Sequence, residues 1–322
     1  MIIKIRINLI LAILICIQSR SVNAQYQSFE LSDSSSIRTL KGTLLMPSDS
    51  KGKIPLVVII AGSGPTDRDG NSPGLKSDYL KMVAEGLAIH NIASFRYDKR
   101  GVGYSKVRDL NEEHLVFEDF VGDASDWILR FKSDKRFSKI IVAGHSEGAL
   151  IGMLAVQSSR VNGLITLAGT GRPLDVVIME QLRSNPYNPP QLINESQVIL
   201  DSLKAGHRVK KVNPLLMALF RPSVQPFLIS ILKYDPAKVL NLVSVPIMIV
   251  QGTTDIQVSS VDAELLHTAK PDARYVLIEG MNHVLRDAPA DRLANIAVYS
   301  LSTKPLSASL IPELVAFVKS IK

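Results

Sequence analysis

Short apolar runs rich in Val and Ile recur along this chain at 54–61, 92–97, 139–143, 161–167, 246–250 and 275–278. Runs of this length suit strands buried on both faces, as in a parallel sheet. Helix-length amphipathic stretches lie between several of them, at 77–89, 117–131, 147–157 and 260–269, and another at 310–321 closes the chain. Strands alternating with helices at this spacing build βαβ units with right-handed crossovers. The pattern therefore predicts an α/β fold, with a mostly parallel central sheet and helices on both faces. A strand pair precedes it, around Phe29-Glu30-Leu31 and 40–46, separated by the polar Asp33-Ser34-Ser35-Ser36.

The rhythm breaks over 169–242, where helical patterns alternate with Pro-rich turns such as Asn185-Pro186-Tyr187-Asn188-Pro189-Pro190. A segment of this length is unsuited to a bare loop in a compact fold. It reads as a helical cap insertion, dividing the core into an N-terminal part, 25–168, and a C-terminal part, 243–322. Residues 1–24 read as a signal peptide: Lys4 and Arg6, an apolar stretch at 7–17, then Val22-Asn23-Ala24 in the pattern of a cleavage site. Eleven residues are too few to span a bilayer, which takes about 20. Removing this leader takes the formal charge from +7 to +4 and removes Cys16, the single cysteine. A cysteine-free chain suits an oxidising compartment, periplasmic or secreted. No other stretch reaches 18 consecutive apolar residues, so no membrane association is expected after cleavage.

One cysteine excludes a disulfide framework, a cysteine zinc site and an iron–sulfur site. With 46% apolar and 21% charged residues the chain is not a disordered one. No Lys/Arg run exceeds two residues, as at Lys210-Lys211, so the basic balance points to no nucleic-acid partner.

Chemistry concentrates at Gly144-His145-Ser146-Glu147-Gly148, which follows the run 139–143 and opens the helix at 147. A serine on so tight a strand-to-helix turn is lifted clear of the sheet, and flanking glycines let neighbouring backbone approach. A serine hydroxyl needs a base before it becomes a useful nucleophile. Of six histidines, His283 stands in Gly280-Met281-Asn282-His283, just past the run 275–278, where ligands of such sheets bind. His90, His114, His207 and His267 lie in or near helical patterns, and His145 should leave the serine turn in another direction. The orienting carboxylate is Asp255, just past the run 246–250, giving the chain order Ser146, Asp255, His283. Its competitors are Asp262, within a helical stretch, and Asp272, at the wrong end of the last strand.

An oxyanion formed at Ser146 needs two aimed backbone donors. The N–H groups of Glu147 and Ser63 are the candidates, the latter in the glycine-rich loop Gly62-Ser63-Gly64-Pro65-Thr66-Asp67-Arg68-Asp69-Gly70-Asn71. That loop lacks the third glycine and the Lys-Ser/Thr pair of nucleotide sites. A further turn, Asp98-Lys99-Arg100-Gly101-Val102-Gly103-Tyr104-Ser105, reads as bracing for neighbouring loops.

With these motifs the chain resembles the α/β-hydrolase superfamily over nearly all of 25–322. The resemblance rests on Gly62-Ser63-Gly64-Pro65, Asp98-x-Arg100-Gly101-x-Gly103-x-Ser105, Gly144-x-Ser146-x-Gly148, Asp255 and His283. The Gly62-to-Asn71 run is similar to exported bacterial esterases of the serine aminopeptidase-like branch, and Phe220-Arg221-Pro222 with Lys233-Tyr234-Asp235-Pro236 to the helical cap of that branch. Many relatives carry a histidine where this chain has Ala61. The resemblance implies a Ser–Asp–His triad, no cofactor, and hydrolysis of a small-molecule carboxylic ester through an acyl-enzyme. A peptidase would use the same three residues but needs a carboxylate for the substrate's amino group, and Glu180 and Glu195 are the obvious ones in the insertion. A coenzyme A thioesterase fits poorly with export. A binding module on a hydrolase fold is the non-enzymatic alternative.

Overall fold

The computed structural model describes residues 25–35 and 38–322, so the signal-peptide reading of 1–24 lies outside the described residues. Nine strands form one sheet: β1 (Tyr26–Ser34), β2 (Arg38–Pro47), β3 (Ile54–Ile60), β4 (Ala93–Tyr97), β5 (Lys106–Val107), β6 (Phe137–His145), β7 (Gly163–Leu167), β8 (Ile247–Gly252) and β9 (Arg274–Ile278). Their order is β1-β2-β4-β3-β6-β7-β8-β9, with β5 paired to β2. From β4 to β9 every neighbour is parallel, and β1 and β2 make an antiparallel edge. The mostly parallel sheet is thus as expected. The two-residue β5 has no signal in the sequence.

Side chains alternate faces along a strand, and the sheet shows this cleanly. Leu56, Val58, Ile60, Val142, Leu164 and Ile249 enter one apolar cluster, while Val57, Ile59, Ile141, Ile165, Met248 and Val250 enter the other. Because both faces need covering, the central strands β3, β7 and β8 are apolar along most of their length. The first face is covered by α2 (Phe117–Lys132) and α3 (Glu147–Ser158), the second by α1 (Tyr79–Ile89) and the last helix of the chain, Leu310–Ser320. On α2 the stripe Phe117, Ala124, Trp127, Ile128 and Phe131 faces the sheet, at the spacing one helix face requires. Each large side chain so buried contributes roughly 1.5–3 kcal/mol. α3 is buried on nearly all sides, which fits its lack of a polar face.

Between β7 and β8 the chain forms five helices: α4 (Leu174–Ser184), α5 (Pro190–Lys204), α6 (Met217–Phe220), α7 (Gln225–Ile231) and α8 (Pro236–Asn241). Most of them share an apolar cluster of their own, built on Met179, Leu200, Leu203, Leu216, Phe220 and Leu228. Within this segment Pro214–Ile231 has a mean hydropathy of 1.3 over 18 residues, long and apolar enough by composition to cross a membrane. A count of consecutive apolar residues overlooks it, because Arg221, Ser223 and Gln225 interrupt the run. In the structure Pro222 and the extended backbone of Arg221 break it into short helical turns. After β8 come α9 (Ser260–Ala269), β9, the short α10 (Arg292–Ala297) and α11 (Leu310–Ser320).

Candidate active site

β6 ends at His145 and α3 begins at Glu147, leaving Ser146 alone to make the turn. It does so at φ 54°, ψ −123°. For a residue with a Cβ such a state costs about 1–3 kcal/mol and persists only where the surroundings enforce it. They do. A Cβ on Gly144 would lie 2.1 Å from the Gly148 carbonyl oxygen, and one on Gly148 would lie 2.4 Å from that of Ile60. The glycines thus let strand, turn and helix close on one another, and Ser146 N–H donates to Leu167 O at 2.9 Å to lock the bend.

The loops after β8 and β9 bring in the other two residues. His283 Nδ1 lies 2.8 Å from Asp255 Oδ2. A carboxylate only accepts, so Nδ1 carries the proton and a neutral imidazole leaves its lone pair on Nε2. Asp255 Oδ1 accepts from the N–H groups of Gln257 and Val258 at 2.8 and 3.0 Å, and Oδ2 also from Gln251 Nε2 at 3.1 Å. Burial pushes this carboxyl up. The electrostatic attraction and hydrogen bond of His283, with the two N–H donors, outweigh burial and hold it below the usual range. The histidine loop is itself fastened, since Asn282 Oδ1 accepts from Val284 N and Arg286 N, and buried Arg286 binds Ser77 and the Lys304 carbonyl. Ser146 and His283 line one cavity of about 200 Å³, together with Gly62, Ser63 and Tyr79. Of the rival aspartates, Asp262 is committed to Arg172 and the Gly171 N–H, and Asp272 sits in the turn before β9.

Both candidate oxyanion donors border Ser146. A Cβ on Gly62 would lie 3.1 Å from Ser146 Cβ, so the glycine loop runs against the serine. Among the described residues neither Ser63 N–H nor Glu147 N–H has a protein acceptor. The rest of that loop is bracing: Asp67 Oδ1 accepts from Asp69 N and Asn71 N, and Asn71 Oδ1 from Ser77 N and Asp78 N. The Asp98-to-Ser105 turn also braces. Asp98 accepts from Arg68 N, Arg68 Nη2 and Tyr104 N, and Arg100 grips Asp123.

One participant has no signature in the sequence. His145 is buried, with Nε2 2.8 Å from the His283 carbonyl oxygen and Nδ1 3.1 Å from the Tyr79 hydroxyl. The carbonyl fixes Nε2 as the donor, so the Tyr79 O–H donates to Nδ1. Burial, then the nearby His283 charge, drive the His145 pKa down to about 3, which keeps this strut neutral. Its adjacency to Ser146 was visible, but not the long-range carbonyl that it supports.

A second cavity of about 340 Å³ opens from Ser146 and Ser63 between core and insertion. Leu150, Leu174, Ile178, Phe227, Leu228 and Ile231 are among its lining residues, and it is chiefly apolar.

Sheet order, strand–serine–helix turn and a helical segment after β7 are the architecture of the α/β-hydrolases. The α/β hydrolase GrgF of Penicillium sp. sh18 superimposes with TM-score 0.60 at 17% identity, covering 92% of this chain and 99% of that one. Ferulate-bound Est1E of Butyrivibrio proteoclasticus gives 0.59 at 17% identity, over 90% and 96%. More narrowly, the chain belongs to the serine aminopeptidase S33 family, whose model matches residues 75–287. Esterase EstD of Thermotoga maritima is 27% identical over 264 residues, or 80% of this chain; the match spans 61% of the length of EstD.

Proposed function

We propose that the protein is a serine hydrolase that cleaves carboxylic esters through an acyl-enzyme. The observation that carries this reading is the Asp255–His283 pair opening onto the same cavity as a strained Ser146, beside two backbone N–H groups without acceptors among the described residues. Ser146 Oγ attacks the ester carbonyl while His283 Nε2 takes its proton. Asp255 holds the resulting imidazolium, and the Ser63 and Glu147 N–H groups receive the negative charge on the carbonyl oxygen. Collapse expels the alkoxide, which takes the proton from His283. Water, deprotonated by the same nitrogen, then attacks the acyl-enzyme, and collapse of that second intermediate releases the acid and returns the proton to Ser146.

The family and the esterase relative support hydrolysis, and the apolar 340 Å³ cavity supports an apolar acyl group, with helices α4–α8 acting as its cap. Both insertion glutamates that the peptidase reading would use already have partners. Glu180 is paired with Arg172, and Glu195 binds Asn213 Nδ2 at 2.8 Å. Export to the periplasm or beyond is part of this proposal and rests on residues 1–24 alone.

Ser146→Ala should lower kcat on a p-nitrophenyl ester by several orders of magnitude with an unchanged thermal transition. Assays of acyl esters of graded length beside aminoacyl anilides check this. Full activity in the variant, or anilides cleaved faster than esters, would overturn the reading.

A further inference from the structure

Lys99 is a buried cation that the triad does not use. It follows β4, which neighbours β3, which in turn neighbours β6. From there its side chain reaches across the end of β3, and Nζ donates to the Gly62 carbonyl oxygen. The same Nζ lies 3.4 Å from Glu147 Oε1 and 5.9 Å from the centre of the Phe120 ring. Only 3% of the side chain is exposed, and an ammonium so buried persists only when its donors are satisfied.

What it grips matters. The Gly62 carbonyl and the Ser63 N–H belong to one peptide, which is planar and trans, so the two groups point in opposite directions. An ammonium anchored on the oxygen therefore sets the direction of the N–H. Lys99 lines a neighbouring cavity, whereas Gly62 and Ser63 both line the one that contains Ser146 and His283, so the ammonium holds the peptide oxygen from outside the space that the N–H borders. The second contact of Nζ is the side chain of Glu147, whose own N–H is the other candidate donor. One ammonium thus ties together the two segments that supply the oxyanion donors. A cation at the oxygen end also polarises the peptide, strengthening the N–H at the other end.

From this geometry we infer that Lys99 is a positioning residue for the oxyanion hole, aiming the Ser63 N–H and fixing its distance from the Glu147 N–H. The inference rests on the serine-hydrolase reading above. Its role is to favour the tetrahedral state over the bound ester, so its loss should fall on kcat and leave KM nearly untouched.

The experiment compares wild type, Lys99→Met, Lys99→Arg and Glu147→Gln with a p-nitrophenyl ester, and measures inhibition by an alkyl boronic acid, which forms a tetrahedral adduct on serine. Deleting one oxyanion donor outright costs about 100- to 1000-fold in kcat. Misaiming one should cost Lys99→Met roughly 10- to 100-fold, with KM within about threefold and boronate affinity falling in step. Lys99→Arg, which restores the cation, should recover most of both. Glu147→Gln, which keeps its N–H but loosens the anchor, should lose a few-fold in both. The inference is overturned if Lys99→Met keeps kcat within threefold, if the loss sits in KM, or if kcat falls while boronate affinity holds. Should Lys99→Met fail to fold, the Arg and Gln variants decide, and no parallel change in kcat and boronate affinity in either overturns it. Absence of any Ser146-dependent turnover in wild type brings down the parent reading and this one together. Turnover that needs Ser146 and ignores Lys99 brings down this one alone.

Discussion

The carboxyl ends of the strands around Ser146 and the helical segment after β7 are built differently. Around these strand ends several charged side chains are held by more than one contact: Asp98 binds Arg68 and Tyr104, Asp255 takes four donors, and Arg286 is wholly enclosed. The helical segment has an apolar cluster of its own, joins the core cluster through Ile231, Val239 and Leu240, and adds more exposed polar contacts to the core. These include Arg221 with Glu112, Arg208 with Glu113 at 3.1 Å and Tyr234 with Glu118 at 2.9 Å. Exposed pairs of this kind are worth at most about 1 kcal/mol each. The first construction fixes Asp255 and His283 through several short contacts, and the second lines a chiefly apolar cavity.

On this contrast, changes at the strand ends should alter turnover and changes in the helices should alter preference. The largest effect should come from Asp255→Asn, which keeps the shape but lets His283 adopt the wrong tautomer. A loss of about 10⁴-fold in kcat is expected, read by ester hydrolysis. A loss below tenfold would mean that the pair is not the catalytic base.

A smaller effect concerns stability. Between 6.5, the ordinary histidine value, and the folded value of about 3, the unfolded chain binds a proton at His145 that the folded chain refuses. Stability from this group is therefore complete above 6.5 and falls with pH through that window, by about 1.4 kcal/mol per unit. His145→Gln should flatten the pH dependence of denaturant-derived stability by that slope. An unchanged slope would show that the ring is not the buried strut described. Smallest is Ile178→Ala, on the insertion side of the 340 Å³ cavity. It should shift relative kcat/KM toward longer acyl chains by about tenfold while kcat on the preferred ester stays close to wild type. A uniform fall in kcat for all esters would erase the distinction between the two regions.

The strand runs were legible because a sheet covered on both faces needs continuous apolar segments, and 54–61, 161–167 and 246–250 have them. Ser146 was legible because so sharp a turn leaves glycine as the only neighbour that fits at 144 and 148, and glycine is visible in a sequence. Asp255 and His283 were legible by position, each just past a strand end. By contrast, His145 supporting the carbonyl of a residue 138 positions away, and Lys99 reaching Gly62 and Glu147, left no local trace. Local pattern records what a residue's immediate backbone and burial require, so the amino-acid order alone determined the sheet, the serine turn and the placing of Asp255 and His283 just past strand ends. Which side chains meet across neighbouring strands depends on strand order and register. Only the tertiary structure decided those contacts, because hydrogen bonds between distant loops depend on the sheet bringing those strand ends side by side.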